Sequence, residues 1–483
     1  MNKQRGETRM GSCFYTVLDN QSNQVFYCDE GRSYTYAQLW NYIARARVYL
    51  KKQSIKTKQR VPISCIDPLN FIVGFFSIIS LDACAVLIEN KKKDQEVLEI
   101  LEQIDSKFIL TDYLQYGDLN NYAVKNISFD LVNLPKEMDD DINCNMELEG
   151  CIIFTSGSTS KPKGVIRSNR ILFEHSDMLQ RVYNLNCEDT VLCLVQPQHA
   201  FGLENILGAI YSGSTLCIQK DFSHSQTINY IEQGKCSIIV GVPYEYELLV
   251  KVNKKIPVNK LRYLLSAGAP LKRDTNIAIY NLFGIPVTQI YGSSELGATA
   301  INLDISKEFE YDSVGKPLSE IEIKIVDDKN CVLPHSQIGE IVLNSPYCTL
   351  GYLDACEAIK DDAYIKDGWF FSGDLGYINE KGNLFITGRK KNVINIAGKK
   401  VSPEEVEKVI KRLKYIKDVK VEGTNDSLYG ETIIAKVVVK SGVEVAAHTI
   451  FNHCKKFLSD YKIPRHIVFA DSLEYTSTGK LKR

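Results

Sequence analysis

A chain of 483 residues is too long for one ordinary hydrophobic core, so two or more domains are expected, each large enough to bury its own interior. With 44% hydrophobic and 24% charged residues it matches ordinary folded chains and excludes a disordered, coiled-coil or fibrous one. Lys and Arg number 58 against 59 Asp and Glu, which leaves no global field to draw the chain onto nucleic acid or anionic lipid, so any basic site is local.

The start, Met1-Asn2-Lys3-Gln4-Arg5-Gly6-Glu7, is polar and lacks the apolar segment of a secretory leader. The 14 cysteines are scattered from Cys13 to Cys454 without any C-x-x-C pair, so neither a zinc site nor a thioredoxin-like pair is expected. Both features point to a cytoplasmic protein with reduced, buried thiols. The apolar run from Phe71 to Ile88 has nearly the length of a membrane span, but Asp82 and two serines interrupt it. It reads as a buried helix running into a buried strand.

From about Gly150 to Glu295, short β-rich runs alternate with helical stretches. The strands are expected at Cys151–Phe154, Val191–Val195, Ser237–Val240 and Ile285–Ile290, with helices over Ile171–Leu185 and Lys272–Phe283. That alternation predicts a doubly wound α/β sheet with ligands at the strand C-termini. Directly after the first of these strands comes Thr155-Ser156-Gly157-Ser158-Thr159-Ser160-Lys161-Pro162-Lys163-Gly164. Glycine-freed N–H groups, hydroxyls and two lysines suit phosphate. The loop is not a Walker A loop, because Pro162 stands where the second glycine belongs. A flexible surface turn is the competing reading of this loop alone.

After Glu295 the texture shifts to short strands and Gly- or Asp-rich turns, as at Ile321–Val326 and Gly339–Leu343, predicting an antiparallel, β-barrel-like subdomain. A boundary follows Arg389. Beyond it, Ser402-Pro403-Glu404-Glu405 reads as a capping box with proline at the first helical position. Val406, Val409, Ile410 and Leu413 then make one apolar face. A strand over Ile433–Val439 and a helix over Thr449–Phe457 complete a small α+β domain. The expected division is 1–390 and 391–483.

The string Phe154 to Gly164 closely resembles the phosphate-loop signature of the adenylate-forming superfamily, which comprises acyl-CoA synthetases, adenylation domains and luciferases. Further matches follow in order: Tyr291-Gly292-Ser293-Ser294-Glu295 resembles the Tyr-Gly-x-Thr-Glu motif, with Ser294 in place of threonine. Ser372-Gly373-Asp374 resembles Thr-Gly-Asp, Gly388-Arg389-Lys390-Lys391 with Gly398 the hinge motif, and Thr478-Gly479-Lys480 the C-terminal lysine motif. The resemblance spans nearly the whole chain. It implies a large N-terminal ATP- and acyl-binding domain with αβα layers, and a small mobile C-terminal domain carrying the catalytic lysine.

It also implies roles. Thr155, Ser156, Gly157, Ser158, Thr159 and Lys163 would hold phosphates, with Gly268, Ala269, Tyr291, Gly292 and Ser293 around the nucleotide and Ser294 and Glu295 at the reacting centre. Tyr291 offers a face on which adenine can stack. Glu295 would hold Mg²⁺, since a carboxylate beside a triphosphate makes sense through a metal. Asp374 suits the ribose hydroxyls and Arg389 ribose or phosphate. Lys480 would reach the reacting carboxylate and α-phosphate as pyrophosphate leaves. The C-terminal domain would then rotate about Lys391, bringing Gly398 toward the incoming thiol.

The implied function is ATP-dependent formation of an acyl-adenylate followed by transfer to a thiol, that of coenzyme A or, alternatively, of the phosphopantetheine on a separate carrier protein. The acid would be chosen around His199-Ala200-Phe201-Gly202, Ser266–Pro270 and Tyr291, with His199 as an acyl-side gate and Tyr244 narrowing the pocket. Relatives selecting α-amino acids carry an aspartate soon after the corresponding strand; here no acid occurs before Glu204, which favours a fatty or aryl acid. Lys390, Lys391, Lys399 and Lys400 are available to a coenzyme A phosphate, an acidic carrier helix or water.

Overall fold

Strand and helix alternation builds two parallel-rich sheets in the computed structural model, which describes residues 23–29, 31–90, 92, 94–113, 124–155, 163–251, 256–303, 309–353, 364–396, 399–426, 430–458, 460–475 and 481. Two compact units emerge: Met1–Tyr311 with Ser345–Ala358, and Asp312–Asn344 with Ile359–Arg483.

In the first unit, one sheet runs in the order 297–301, 287–293, 263–266, 238–241, 190–193, 215–218, 25–29, 32–35. Its interior pairs are parallel and only the hairpins at its two ends are antiparallel. Parallel strands covered on both faces must be apolar along their length, and Ile238–Gly241 is buried at every position. The second sheet runs 351–352, 163–168, 149–155, 84–87, 60–64, 108–111, 125–128. The strand predicted at Cys151 therefore belongs to a different sheet from the three predicted after it, and the expected single winding is two. The reason is local: Glu149–Thr155 turns straight back through the phosphate loop into Lys163–Ser168 as an antiparallel hairpin, leaving no crossover helix to carry it into the next sheet.

The run predicted as helix then strand is Pro68–Ile79 followed by Cys84–Leu87, both wholly buried. Asp67 caps that helix by accepting from the Leu69 and Asn70 N–H groups, with Pro68 pre-set at the first position. Among the described residues no helix is long and apolar enough to cross a membrane. The predicted helices are Asn169–Tyr183, capped by Ser168 Oγ and ended by Asn184 at φ 48°, and Arg273–Phe283, ended by Gly284 at φ 75°.

Parallel register also sets Cys28 beside Cys217, and a disulfide joins them across a Cα–Cα distance of 5.2 Å. This corrects the expectation of uniformly reduced thiols. Cys65, Cys84, Cys144, Cys151, Cys193, Cys236 and Cys454 are free and buried.

In the second unit, strands 322–326, 339–344, 369–378, 364–366 and 384–389 form an antiparallel sheet, as expected, but among the described residues no pairing joins its edges into a barrel. After a single turn at Lys390–Asn392, a second sheet of 399–401, 394–396, 430–439, 416–426 and 466–469 packs helices Pro403–Ile410 and Ala447–Phe457 around Ile394, Val406, Ile410, Val419, Ile433, Val437 and Ile450. Ser402 occupies the helix N-cap, yet the predicted capping bond is not made. Its hydroxyl donates to the Thr387 carbonyl at 3.0 Å and to Glu404 at 2.8 Å, while Glu405 pairs with Lys462 at 2.7 Å. A hydroxyl hydrogen pointed at two acceptors is spent on tying the helix start to the preceding strand.

Candidate active site

Parallel order places four predicted segments side by side. Strands 190–193, 238–241, 263–266 and 287–293 are adjacent and point the same way. Their C-terminal ends deliver, respectively, His199, Tyr244, Gly268-Ala269 and Tyr291 to one edge of the first sheet, where ligands of such sheets bind. His199 is the N-cap of helix Ala200–Ser212 but makes no capping bond; its Nδ1 lies 3.9 Å from Glu89 Oε1. Gly268 has φ +87°, a conformation that a side chain would strain. Tyr244 is 58% exposed.

Strands Val287–Ser293 and Gly297–Ile301 form a hairpin whose tip is Ser294-Glu295-Leu296. The two strands approach so closely that a Cβ on Gly292 would strike the Gly297 backbone, and Gly297 itself has φ +71°. Both glycines are thus required to hold Glu295 at the tip. The Glu295 carbonyl accepts from the Thr349 N–H at 2.7 Å, and Thr349 Oγ1 donates to the Ile166 carbonyl at 2.6 Å. Glu295 Oε1 accepts from the Tyr352 hydroxyl at 3.0 Å.

Tyr352 sits on a two-residue strand paired with Lys163–Ser168, and the Lys163 ammonium lies 5.8 Å from the centre of its ring. One side chain therefore joins the far end of the phosphate loop to the Glu295 turn, bringing together two predicted motifs 132 positions apart, the difference between 295 and 163. Sequence reasoning did not single out Tyr352. Its only signal is the Gly351-Tyr352 pair, which is silent among 26 tyrosines. The site's fit to nucleotide and metal is reasonable: the Ser293 hydroxyl is buried without a hydrogen-bond partner among the described residues, and magnesium bound with phosphate needs few protein oxygens.

In the second unit, Asp374 and Arg389 are register partners on neighbouring strands, and Arg389 Nε meets Asp374 Oδ1 at 2.6 Å. Asp374 is buried and Arg389 half-exposed. Gly373, at φ +68°, donates to buried Glu340, whose other oxygen takes Lys390 at 2.7 Å. Lys390 is thus ion-paired within its own unit. Ser156, Gly157, Ser158, Thr159, Gly398 and Lys480 lie outside the described residues, as do the side chains of Thr155, Lys391, Lys399 and Lys400.

Glu245, next to Tyr244, is buried, and burial pushes its carboxyl up to about 8 against an opposing hydrogen bond from the Val242 N–H at 2.6 Å. The folded state therefore holds a proton that the unfolded chain releases near pH 4.5. Stability falls as pH rises between those values, with a limiting slope of about 1.4 kcal/mol per pH unit. Urea unfolding from pH 5 to 8 is expected to show wild type losing stability relative to Glu245→Gln over that window; parallel curves would refute the buried proton.

Two family models match the chain. The AMP-binding enzyme model matches residues 14–353, and the AMP-binding enzyme C-terminal domain model residues 405–480. The chain is 28% identical over 393 residues to a 2-succinylbenzoate–CoA ligase of Enterococcus faecalis, covering 81% of this chain and 78% of that one. It is 27% identical over 475 residues to an oxalate–CoA ligase of Arabidopsis thaliana, covering 93% and 92%. The solved o-succinylbenzoate CoA synthetase of Bacillus subtilis, in complex with its acyl-adenylate intermediate, superposes with a TM-score of 0.90 at 25% identity, covering 99% and 98%. With an ordered set of motifs, a matching fold and a family model over most of its length, the chain belongs to the AMP-binding enzyme family.

Proposed function

We propose that the chain activates a carboxylic acid with ATP and transfers the acyl group to the thiol of coenzyme A, as an AMP-forming acid–thiol ligase. The observation that carries this reading is the Tyr352 bridge, which sets a lysine of the phosphate loop and the Glu295 carboxylate around one place. In the first half-reaction the acid's carboxylate oxygen bonds to the α-phosphorus and the bond to pyrophosphate breaks. In the second the coenzyme A thiolate attacks the acyl carbon, and AMP leaves with the electrons of the acyl–oxygen bond.

Two anions must meet in the first step, so cations have to screen them. Lys163 and Lys480 supply protein charge, and magnesium held at Glu295 would supply the rest. Ser294 and the loop residues Thr155 to Thr159 position phosphate oxygens, Gly268, Ala269, Tyr291, Gly292 and Ser293 receive the nucleotide, and Asp374 and Arg389 take the ribose. Residues 391–483 act as a mobile domain pivoting at Lys391, with Gly398 reaching the thiol. Support for that pivot is the single turn at 390–392 before a sheet with its own core.

For the acid, a fatty or aryl carboxylate is favoured. Glu204, the first acid after His199, is fully buried and bound to Arg167, so it is not available to hold a substrate ammonium. His199 and Tyr244 then shape the acyl end. The curated relatives named above act on 2-succinylbenzoate and oxalate.

Pyrophosphate exchange over a panel of fatty, aryl, dicarboxylic and amino acids tests the reading. Exchange with at least one non-amino acid and thioester formation with free coenzyme A are expected. No exchange with any acid would refute adenylation. Exchange without transfer to coenzyme A would move the acceptor to a carrier-protein phosphopantetheine.

A further inference from the structure

Beneath the Glu295 hairpin lies a charged cluster that none of the steps above uses. Arg167, His175 and Glu204 come from three elements, the strand Lys163–Ser168 and the helices Asn169–Tyr183 and Ala200–Ser212, and each is at most 2% exposed. Arg167 Nη1 donates to Glu204 Oε1, and His175 Nδ1 lies 3.6 Å from the same oxygen. His175 Nε2 is 3.0 Å from the Ala298 carbonyl, which can only accept, so the ring proton sits on Nε2. Burial holds the His175 pKa below its ordinary value, so the cluster is one cation, one anion and a neutral ring. Arg167 Nε and Nη2 have no hydrogen-bond partner among the described residues.

A trio of this kind is a poor way to gain stability, because desolvating an ion pair costs about as much as its attraction returns. Its position is informative instead. A Cβ added to Gly297 would lie 2.5 Å from Glu204 Oε1 and 2.5 Å from His175 Cε1, so these two side chains are the floor on which the turn rests, two residues from Glu295. Arg167 stands on the return strand of the phosphate-loop hairpin, four residues after Lys163. Tyr347 packs edge-on to His175 at 5.1 Å, in the segment whose Thr349 binds the Glu295 carbonyl.

We propose that Glu204 is a positioning residue for magnesium-dependent adenylation: clamped between Arg167 and His175, it fixes the Gly297 turn and so the place of the Glu295 carboxylate relative to the phosphate loop. The inference rests on the assignment of Glu295 to the metal. Glu204 touches neither nucleotide nor acid; it acts through the turn above it. Support shells of this sort set metal affinity, with losses of about 10- to 100-fold when removed.

The test is calorimetric binding of ATP to the full chain, once with magnesium and once with EDTA. Glu204→Gln is expected to weaken magnesium–ATP about tenfold, at the low end of that range, while metal-free ATP binds as in wild type. The apolar pair Arg167→Met with Glu204→Leu removes both charges, and it is expected to keep wild-type thermal stability without recovering the magnesium-linked affinity. Equal weakening of both forms of ATP, or full recovery in the double variant, would leave the trio a purely structural device and overturn the proposal. Should the single variant not fold, the double variant decides by the same ratio. Glu295→Gln is the control: if it retains wild-type magnesium–ATP affinity, the metal assignment falls first, whereas a loss there with none at Glu204 overturns the inference alone.

Discussion

Replacing Lys480 by alanine is expected to abolish acyl-adenylate formation while leaving thioester formation from supplied acyl-adenylate at the wild-type rate. In the first half-reaction negative charge accumulates on the carboxylate oxygen, the α-phosphate and the departing pyrophosphate. A single ammonium placed there does more for the transition state than for the separated reactants. Loss of one such donor costs about 10²- to 10³-fold in rate, and the loss here should be at the upper end because two anions are being joined. The second half-reaction passes through a tetrahedral oxyanion at the acyl carbon as AMP leaves, and by then the proposed pivot has carried Lys480 out of the site, so its ammonium is not used in that step. Lys480 itself lies outside the described residues, but Tyr475 and Leu481 on either side of its segment are joined by an antiparallel bridge. Pyrophosphate exchange reports the first half and single-turnover transfer from a supplied adenylate reports the second. Equal loss of both would contradict the assigned role.

Glu295→Gln should give the second large effect. The amide keeps an oxygen to accept from Tyr352 and keeps the hairpin's shape, so it removes charge and little else. Exchange of pyrophosphate is expected to fall by about 10²-fold, and the magnesium concentration for half-maximal rate to rise. Tyr352→Phe should fall less, since it removes one hydrogen bond to the carboxylate, worth about 1.5 to 3 kcal/mol, and leaves the charge in place. A magnesium titration of the three proteins separates the cases. If Glu295→Gln titrates like wild type, the carboxylate does not serve the metal.

Much of the fold was legible because period and punctuation agree. The strands at Val191 and Ser237 and the helices after Ile171 and Lys272 lie where their patterns put them. Division into two sheets was not legible, because Cys151–Phe154 and Ile238–Val240 have the same texture, and only the hairpin through the phosphate loop sends the first elsewhere. At Ser402 the sequence shows a capping box, but tertiary acceptors outcompete the local bond. The order of the motifs pointed to the chemistry. The residues that hold the site together, Tyr352, Arg167 and Glu204, carry no local pattern at all, since each acts across more than 35 positions of chain.

The hairpin tip that presents Glu295 has a bearing on how such a chain can diversify. Its loop is closed on one side by glycines whose backbones touch and on the other by a tyrosine anchored to a second sheet. His199 and Tyr244, by contrast, hang from separate strand ends of a single sheet, each adjustable without moving the other. Residues that would choose the acid can therefore drift one at a time, whereas those that handle the nucleotide can change only in concert. A library confined to the first group should yield new acids on an unaltered ATP requirement.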